Sequence, residues 1–258
     1  MSADAAKRPN YIAEYLVAAG YLLFFCLAFS LCSTFYYLTY LQPQQTLLIN
    51  TFATALPPTT PTPHILPTDQ QNASQIFKDD FSDDSHGWAG TEDTSIQQVT
   101  LGKLLFKSRK EDTYAFTGCA YCPSLDTPFY LQADFSTGAV TDRGFGIYFN
   151  FDQDNNGSFF LFRINPEARK YYFYHGSNDG WSMRAAGGSS QIKSFPAINT
   201  LGIYANQDTV EFYVNGEIVD SYIESGYSFH KGGFGFYVDG SNFQLVIDNL
   251  VINKAGNE

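Results

Sequence analysis

Phe145-Gly146-Ile147-Tyr148-Phe149-Asn150-Phe151 and, after a polar break, Ser158-Phe159-Phe160-Leu161-Phe162-Arg163-Ile164 decide the class of this chain. In the first run the odd positions are apolar, and in the second Phe160, Phe162 and Ile164 share one face. Successive side chains of an extended strand point to opposite sides, so a period of two reads as strand. The break between them, Asp152-Gln153-Asp154-Asn155-Asn156-Gly157, is built from the residues that tight turns use. Together the two runs predict an antiparallel hairpin.

The pattern extends in both directions. Lys170 to His175 reads as a third strand, leading through Ser177-Asn178-Asp179-Gly180 into Trp181, and Leu201, Ile203 and Ala205 mark another. Val210, Phe212 and Val214 alternate into Asn215-Gly216, a pair that tolerates positive φ at both central turn positions and so fixes the register of a further hairpin. Phe234, Phe236 and Val238 form one more inward face, and Phe243 to Ile252 forms a closing strand. Its apolar parity shifts between Ile247 and Leu250, which requires a bulge or burial on both faces. No stretch from Phe77 onward keeps helical spacing. Short strands with Gly, Asn and Asp turns predict an all-β domain of two antiparallel sheets packed face to face, with a closed barrel as the alternative.

The first part of the chain is different. Tyr15 to Leu41 contains no Asp, Glu, Lys, Arg or Pro, and as a helix it would run roughly 40 Å, longer than a bilayer core of about 30 Å. Tyr11 and Tyr15 stand at one end and Tyr36, Tyr37 and Tyr40 at the other, where aromatic rings favour the headgroup level. Lys7 and Arg8 precede this run and no Lys or Arg follows until Lys78, which places the N-terminus in the cytoplasm. A cleaved secretory signal is the alternative, but its apolar region is shorter, about 7–15 residues. Cys26 and Cys32 follow Phe25 and Leu31 rather than a small residue, so they read as apolar filling. Residues 42–75 carry no Lys, Arg or Glu and include Leu56-Pro57-Pro58-Thr59-Thr60-Pro61-Thr62-Pro63, an extended linker. The organisation expected is therefore a cytoplasmic stretch over 1–14, one transmembrane helix over 15–41, a Pro/Thr-rich linker over 42–75, a β-sandwich over 76–254 and a tail over 255–258. The sandwich is expected outside the cell membrane, on a single-pass anchor.

Asp and Glu number 26 against 15 Lys and Arg, and the basic residues are scattered. A phosphate backbone needs a basic track, so nucleic acid is excluded as a partner. Aromatic residues make up 17% of the chain, which suits half-buried strands and equally suits stacking on sugar rings.

Four places carry a family resemblance: Asp79-Asp80-Phe81-Ser82-Asp83-Asp84-Ser85-His86-Gly87-Trp88, the hairpin around Asp154-Asn155-Asn156, Val210 to Gly216, and Ile247-Asp248-Asn249-Leu250-Val251-Ile252. In their order and spacing the sequence resembles the concanavalin A-like lectin/glucanase (LamG-like) jelly roll, in its bacterial, membrane-anchored form. The resemblance implies a carbohydrate-facing groove on the concave sheet. It also implies a structural Ca²⁺ between the N-terminal loop and the last strand, with Asp248 and either Asp80 or Asp83 supplying oxygens; a surface Asp holding turn amides is the other reading of Asp248. Family 16 glycoside hydrolases of this fold set their carboxylates on one strand as E-x-D-x-E or E-x-D-x-x-E, and this sequence has no such string. Glu211 and Glu217 flank a turn, Glu92 and Asp93 are adjacent, and Glu167 follows Pro166. No catalytic residue is carried over.

Asp152 to Gly157 imitates the start of a calcium loop, but Arg163 occupies the twelfth position where a bidentate Glu is needed, so a hairpin turn is the simpler reading. Cys119-Ala120-Tyr121-Cys122 lies in a β context outside the membrane, which favours a local disulfide over redox catalysis. Trp88 reads as a core plug. Trp181 is the candidate sugar platform, with Tyr172 and Tyr174 sharing a strand face by period two, and with His175 and Asn178 nearby. The expectation is a membrane-anchored, lectin-like domain that binds glycan or polysaccharide without turnover. The alternatives are a scaffold subunit docking to a protein partner and a glycoside hydrolase of the same fold.

Overall fold

The structure, a computed structural model, describes residues 74–109, 113–240 and 244–255, and every regular element among them is a β-strand. The span expected over 15–41 and the linker through residue 73 lie outside the described residues. Among the described residues no helix is long and apolar enough to cross a membrane.

The strands form two separate sheets, so the barrel alternative is not realised. The first sheet runs β13 (Glu217–Ile223), β12 (Thr209–Val214), β11 (Asn199–Ala205), β6 (Phe129–Thr137), β15 (Gln244–Lys254), β4 (Lys103–Ser108), β3 (Ser95–Thr100), β2 (Gly90–Thr91), with β1 (Gln75–Asp79) paired to the far half of β15. The second runs β10 (Gly180–Gly188), β9 (Lys170–Ser177), β8 (Ser158–Asn165), β7 (Phe145–Asp152), β14 (Gly233–Asp239), β5 (Tyr114–Thr117). All registered pairs are antiparallel, and first and last strands meet side by side in one sheet.

The expected hairpin is present in the expected register, with Ile147 opposite Phe162 and Phe149 opposite Phe160. These inward side chains are fully buried and meet the other sheet. Phe162 stacks on Phe212 of β12 with centroids 4.6 Å apart, and Phe135 of β6 packs edge-on to Phe236 of β14 at 5.6 Å. Each such side chain contributes about 1.5–3 kcal/mol through burial, which makes the shared aromatic layer the main cohesive force between the sheets.

Asn215 and Gly216 both have positive φ, 54° and 86°, and turn β12 tightly into β13. The parity shift in the last strand is a bulge: Asn249 sits at φ 52° and the β15–β6 register slips between Asp248 and Val251. Trp88 is 2% exposed and stacks on Phe236 at 5.2 Å, the core position expected for it. Its indole N–H donates to Asp79 Oδ2 at 2.8 Å, which secures the N-terminal loop to the end of β1.

Candidate functional site

The second sheet has an unusual outer face. In β8 the residues between the core positions are Phe159, Leu161 and Arg163, so the strand is apolar on both sides for most of its length. Opposite Phe159 stands Gly176 of β9, and opposite that Trp181 of β10, so the three lie in one row across the strands. A Cβ at Gly176 would come within 2.3 Å of the Phe159 ring, so the ring lies where a side chain would otherwise stand. Trp181 meets Phe159 at 5.4 Å, Phe116 at 5.8 Å, Tyr237 at 5.7 Å and Tyr114 at 4.8 Å. Phe159, Phe116, Tyr237 and Trp181 belong to a second apolar cluster, separate from the core.

A hollow of about 440 Å³ opens in this cluster. Six rings line it: Tyr114 and Phe116 from β5, Tyr148 and Phe151 from β7, Phe159 from β8 and Trp181 from β10. Gln153, Ser177 and Asn178 line it beside Gly157, and no described lining residue carries a charge. Two hairpin tips supply these residues and are tied together. The amide of Asn178 donates to the Asn156 carbonyl at 3.1 Å, and Asn156 Nδ2 donates to Asp179 Oδ2 at 2.6 Å. Asp152 Oδ1 accepts the amides of Asp154 and Asn155, so the stretch that imitates a calcium loop is a hairpin turn. Burial, with a smaller contribution from the charge of Glu92, raises the pKa of Tyr148 well above the ordinary phenol value, so it stays neutral.

Beside the hollow the face turns polar. Arg163 pairs with Asp239 and lies over the rings of Tyr172 and Tyr174, 4.9 and 5.3 Å from their centroids. Burial alone would lower the Arg163 pKa, but Asp239, Tyr237 and Tyr174 raise it further, so the guanidinium is held charged. Tyr237 donates to the other oxygen of Asp239, and burial followed by that carboxylate raises its own pKa.

Of the residues singled out from the sequence, Trp181 and Asn178 line the hollow. Tyr172 and Tyr174 share its sheet face, Tyr174 lying 6.0 Å from Trp181 and 6.2 Å from Tyr172. His175 stands apart from them, because the alternation that turns Tyr172 and Tyr174 outward turns His175 inward, where it stacks on Phe160 at 4.8 Å. The Arg184 guanidinium can only donate, so His175 Nδ1 accepts at 3.3 Å and Nε2–H donates to Ser158 Oγ at 2.9 Å. Asp248, Asp80 and Asp83 each have partners within the protein. Asp248 pairs with Lys103 at 2.7 Å, while Asp80 and Asp83 accept the amides of Ser82 and Ser85. Hydrogen bonds from the Ser82 and Ser85 side chains, and then from these amides, lower both carboxyl pKa values. Among the described residues no group of three or more His, Cys, Asp or Glu could hold a metal ion. Cys119 and Cys122 are joined by a disulfide in the loop after β5, with Cα atoms 5.5 Å apart.

Tyr114, Phe116, Tyr148, Phe151 and Phe159 were not singled out as site residues by the sequence reading. For Phe159 the signal was an apolar residue on the face that should be polar. For Phe151 the sequence misleads, because its odd position puts it with the core set. A register slip between Phe149 and Asp152, with Asn150 at φ 55°, throws its ring to the outer face, 6.1 Å from Tyr148.

No family model matches the sequence, and no curated protein is similar to it. Solved structures are. The carbohydrate-binding module CBM66 from Bacillus subtilis superimposes with a TM-score of 0.51 at 16% identity, over 62% of this chain and 92% of that one. A Bacillus subtilis protein of unknown function with a galectin-like fold gives 0.53 at 12% identity, over 72% and 98%. The endo-β-1,3-glucanase of Pyrococcus furiosus gives 0.51 at 12%, over 71% and 95%. At these identities the likeness is one of architecture, and the chain carries the concanavalin A-like jelly-roll fold.

Proposed function

We propose that this chain binds glycan, in the manner of a lectin, at the aromatic hollow on the outer face of the second sheet. One observation carries the reading: six rings line a single hollow, no described lining residue carries a charge, and Gln153, Ser177 and Asn178 add amide and hydroxyl groups beside the rings. A sugar offers an apolar C–H face and a hydroxyl edge, and such a surface satisfies both, the rings by contact and Gln153, Ser177 and Asn178 by hydrogen bonding. Solved neighbours of this fold include a carbohydrate-binding module and glucanases, which supports a sugar as the ligand. No Asp or Glu is among the described residues lining the hollow, so binding is a better fit to it than hydrolysis by paired carboxylates. We further propose that residues 15–41 anchor the domain outside the cell membrane, on the strength of their uncharged composition and the Lys7–Arg8 pair before them.

The test is retention of the full-length protein on a panel of polysaccharides. Wild-type binding, weakened more than about tenfold in Trp181→Ala and reduced in the fold-neutral Asn178→Ala, supports the reading. No retention by folded protein on any member of the panel overturns it.

A further inference from the structure

The depression does not stop at the aromatic rings. A second hollow of about 460 Å³ lies where β7 ends, and Phe151 and Gln153 line both, so the two adjoin. Its chemistry is different: Ser124, Asp152, Asn155, Tyr227 and Lys231 replace the ring wall.

Paired irregularities create this second hollow. The β7–β8 register slips between Phe149 and Asp152, and the β14–β7 register slips between Gly233 and Gly235. Asn150, at the first slip, donates from Nδ2 to the Ser228 carbonyl at 2.7 Å and accepts the Tyr227 hydroxyl at 3.4 Å, which fixes the floor. Gly232 has φ 82°, and a Cβ there would stand 2.4 Å from the Phe151 carbonyl oxygen, so only glycine lets this loop close on the strand end. The floor is thus tied by hydrogen bonds and by a close backbone approach. The Gln153 and Asn155 side-chain amides and the Lys231 ammonium line this second hollow. Asp152 lines it as well, with its Oδ1 held by turn amides.

We propose that the ligand is an oligosaccharide spanning both hollows, not a single sugar. One unit stacks in the aromatic hollow, and the next crosses Phe151 and takes hydrogen bonds from Gln153, Asn155 and Lys231. The proposal rests on the glycan reading above and adds to it a direction, from a ring-lined subsite to a polar one, and a minimum length.

The experiment is calorimetric titration of the full-length protein with gluco-, galacto-, manno-, xylo- and fructo-oligosaccharides of increasing length, starting from the monosaccharides. In the series that binds, affinity rises about tenfold from one unit to two, and Asn155→Ala and Lys231→Ala each remove a roughly three- to tenfold part of that gain while monosaccharide affinity is unchanged. Equal affinity for one unit and two, or full disaccharide affinity in both variants, overturns the proposal and leaves the glycan reading standing. Absence of binding in every series removes the glycan reading itself, and this proposal with it.

Discussion

At Asp79 three donors converge on one carboxylate that is 5% exposed: the Phe81 amide on Oδ1 at 2.8 Å, and Trp88 Nε1 and His86 Nδ1 on Oδ2 at 2.8 and 2.7 Å. Removing the acceptor strands the Phe81 amide and the Trp88 indole in the core, so Asp79→Ala is expected to cost about 3 kcal/mol in urea unfolding, more than the deletion of an exposed acid would. His175 makes a different prediction. Its pKa is lowered from 6.5, first by burial and then by Arg184, so the unfolded chain binds a proton more readily than the folded one. The stability contributed by the neutral ring is complete above about pH 6.5 and is lost as pH falls through the folded value. Thermal melts between pH 7.5 and 5 should therefore show a decline that His175→Gln flattens. The carboxylates with lowered pKa, Asp80 and Asp83, act only below their ordinary value of 3.8.

Among the elements, strands β8, β9 and β10 act together through the row Phe159, Gly176, Trp181. Because the Phe159 ring occupies the space above Gly176, Gly176→Val must push that ring toward the hollow. The expected result is a loss of glycan retention of about tenfold or more with cooperative unfolding preserved, since the displaced ring lies outside the inter-sheet core. Unchanged retention would show that Phe159 does not shape the site. On the opposite wall, β5 is only four residues long and carries Tyr114 and Phe116. The loop that follows it is clasped to the N-terminal turn by the amides of Ala120 and Tyr121, donating to Gly87 and His86 carbonyls at 3.1 Å each. The disulfide closes only a short loop there, so chain-entropy reasoning assigns it about 2 kcal/mol, which the Cys119→Ser/Cys122→Ser pair should lose in chemical denaturation.

Over the whole molecule the two sheets cohere through one aromatic layer, in which Phe212 touches Phe162 and Phe173 at 4.6 Å each. Phe212→Ala is expected to cost about 3–5 kcal/mol, and the described sandwich should unfold in one transition because neither sheet has another face to bury those rings against. If residues 15–41 are the anchor proposed for them, the full-length protein stays in the membrane pellet through alkaline carbonate washing and leaves it only with detergent. The inward faces of the hairpins, the Asn215-Gly216 turn, the bulge before Leu250 and the burial of Trp88 were all legible in the sequence, because each follows from period-two alternation or from a residue's own φ preference. Trp181 and Asn178 were legible as site candidates for the same local reason, a ring and an amide beside a Gly turn. The wall they face was not. Tyr114 and Phe116 reach it from a strand remote in sequence, through the pairing of Phe116 with Tyr237 and of Tyr114 with Asp239. Phe151 reaches it because a bulge reverses its parity, and His175 leaves it because parity holds. Asp248 was taken up by Lys103, which strand pairing brings across from β4. Alternation and turn chemistry are properties of neighbours along the chain, so the sequence by itself determined the all-β class and its inward faces. A hollow walled by several strands depends on which edges pair and where register slips, and those are balances of packing between distant segments that only the tertiary structure decided.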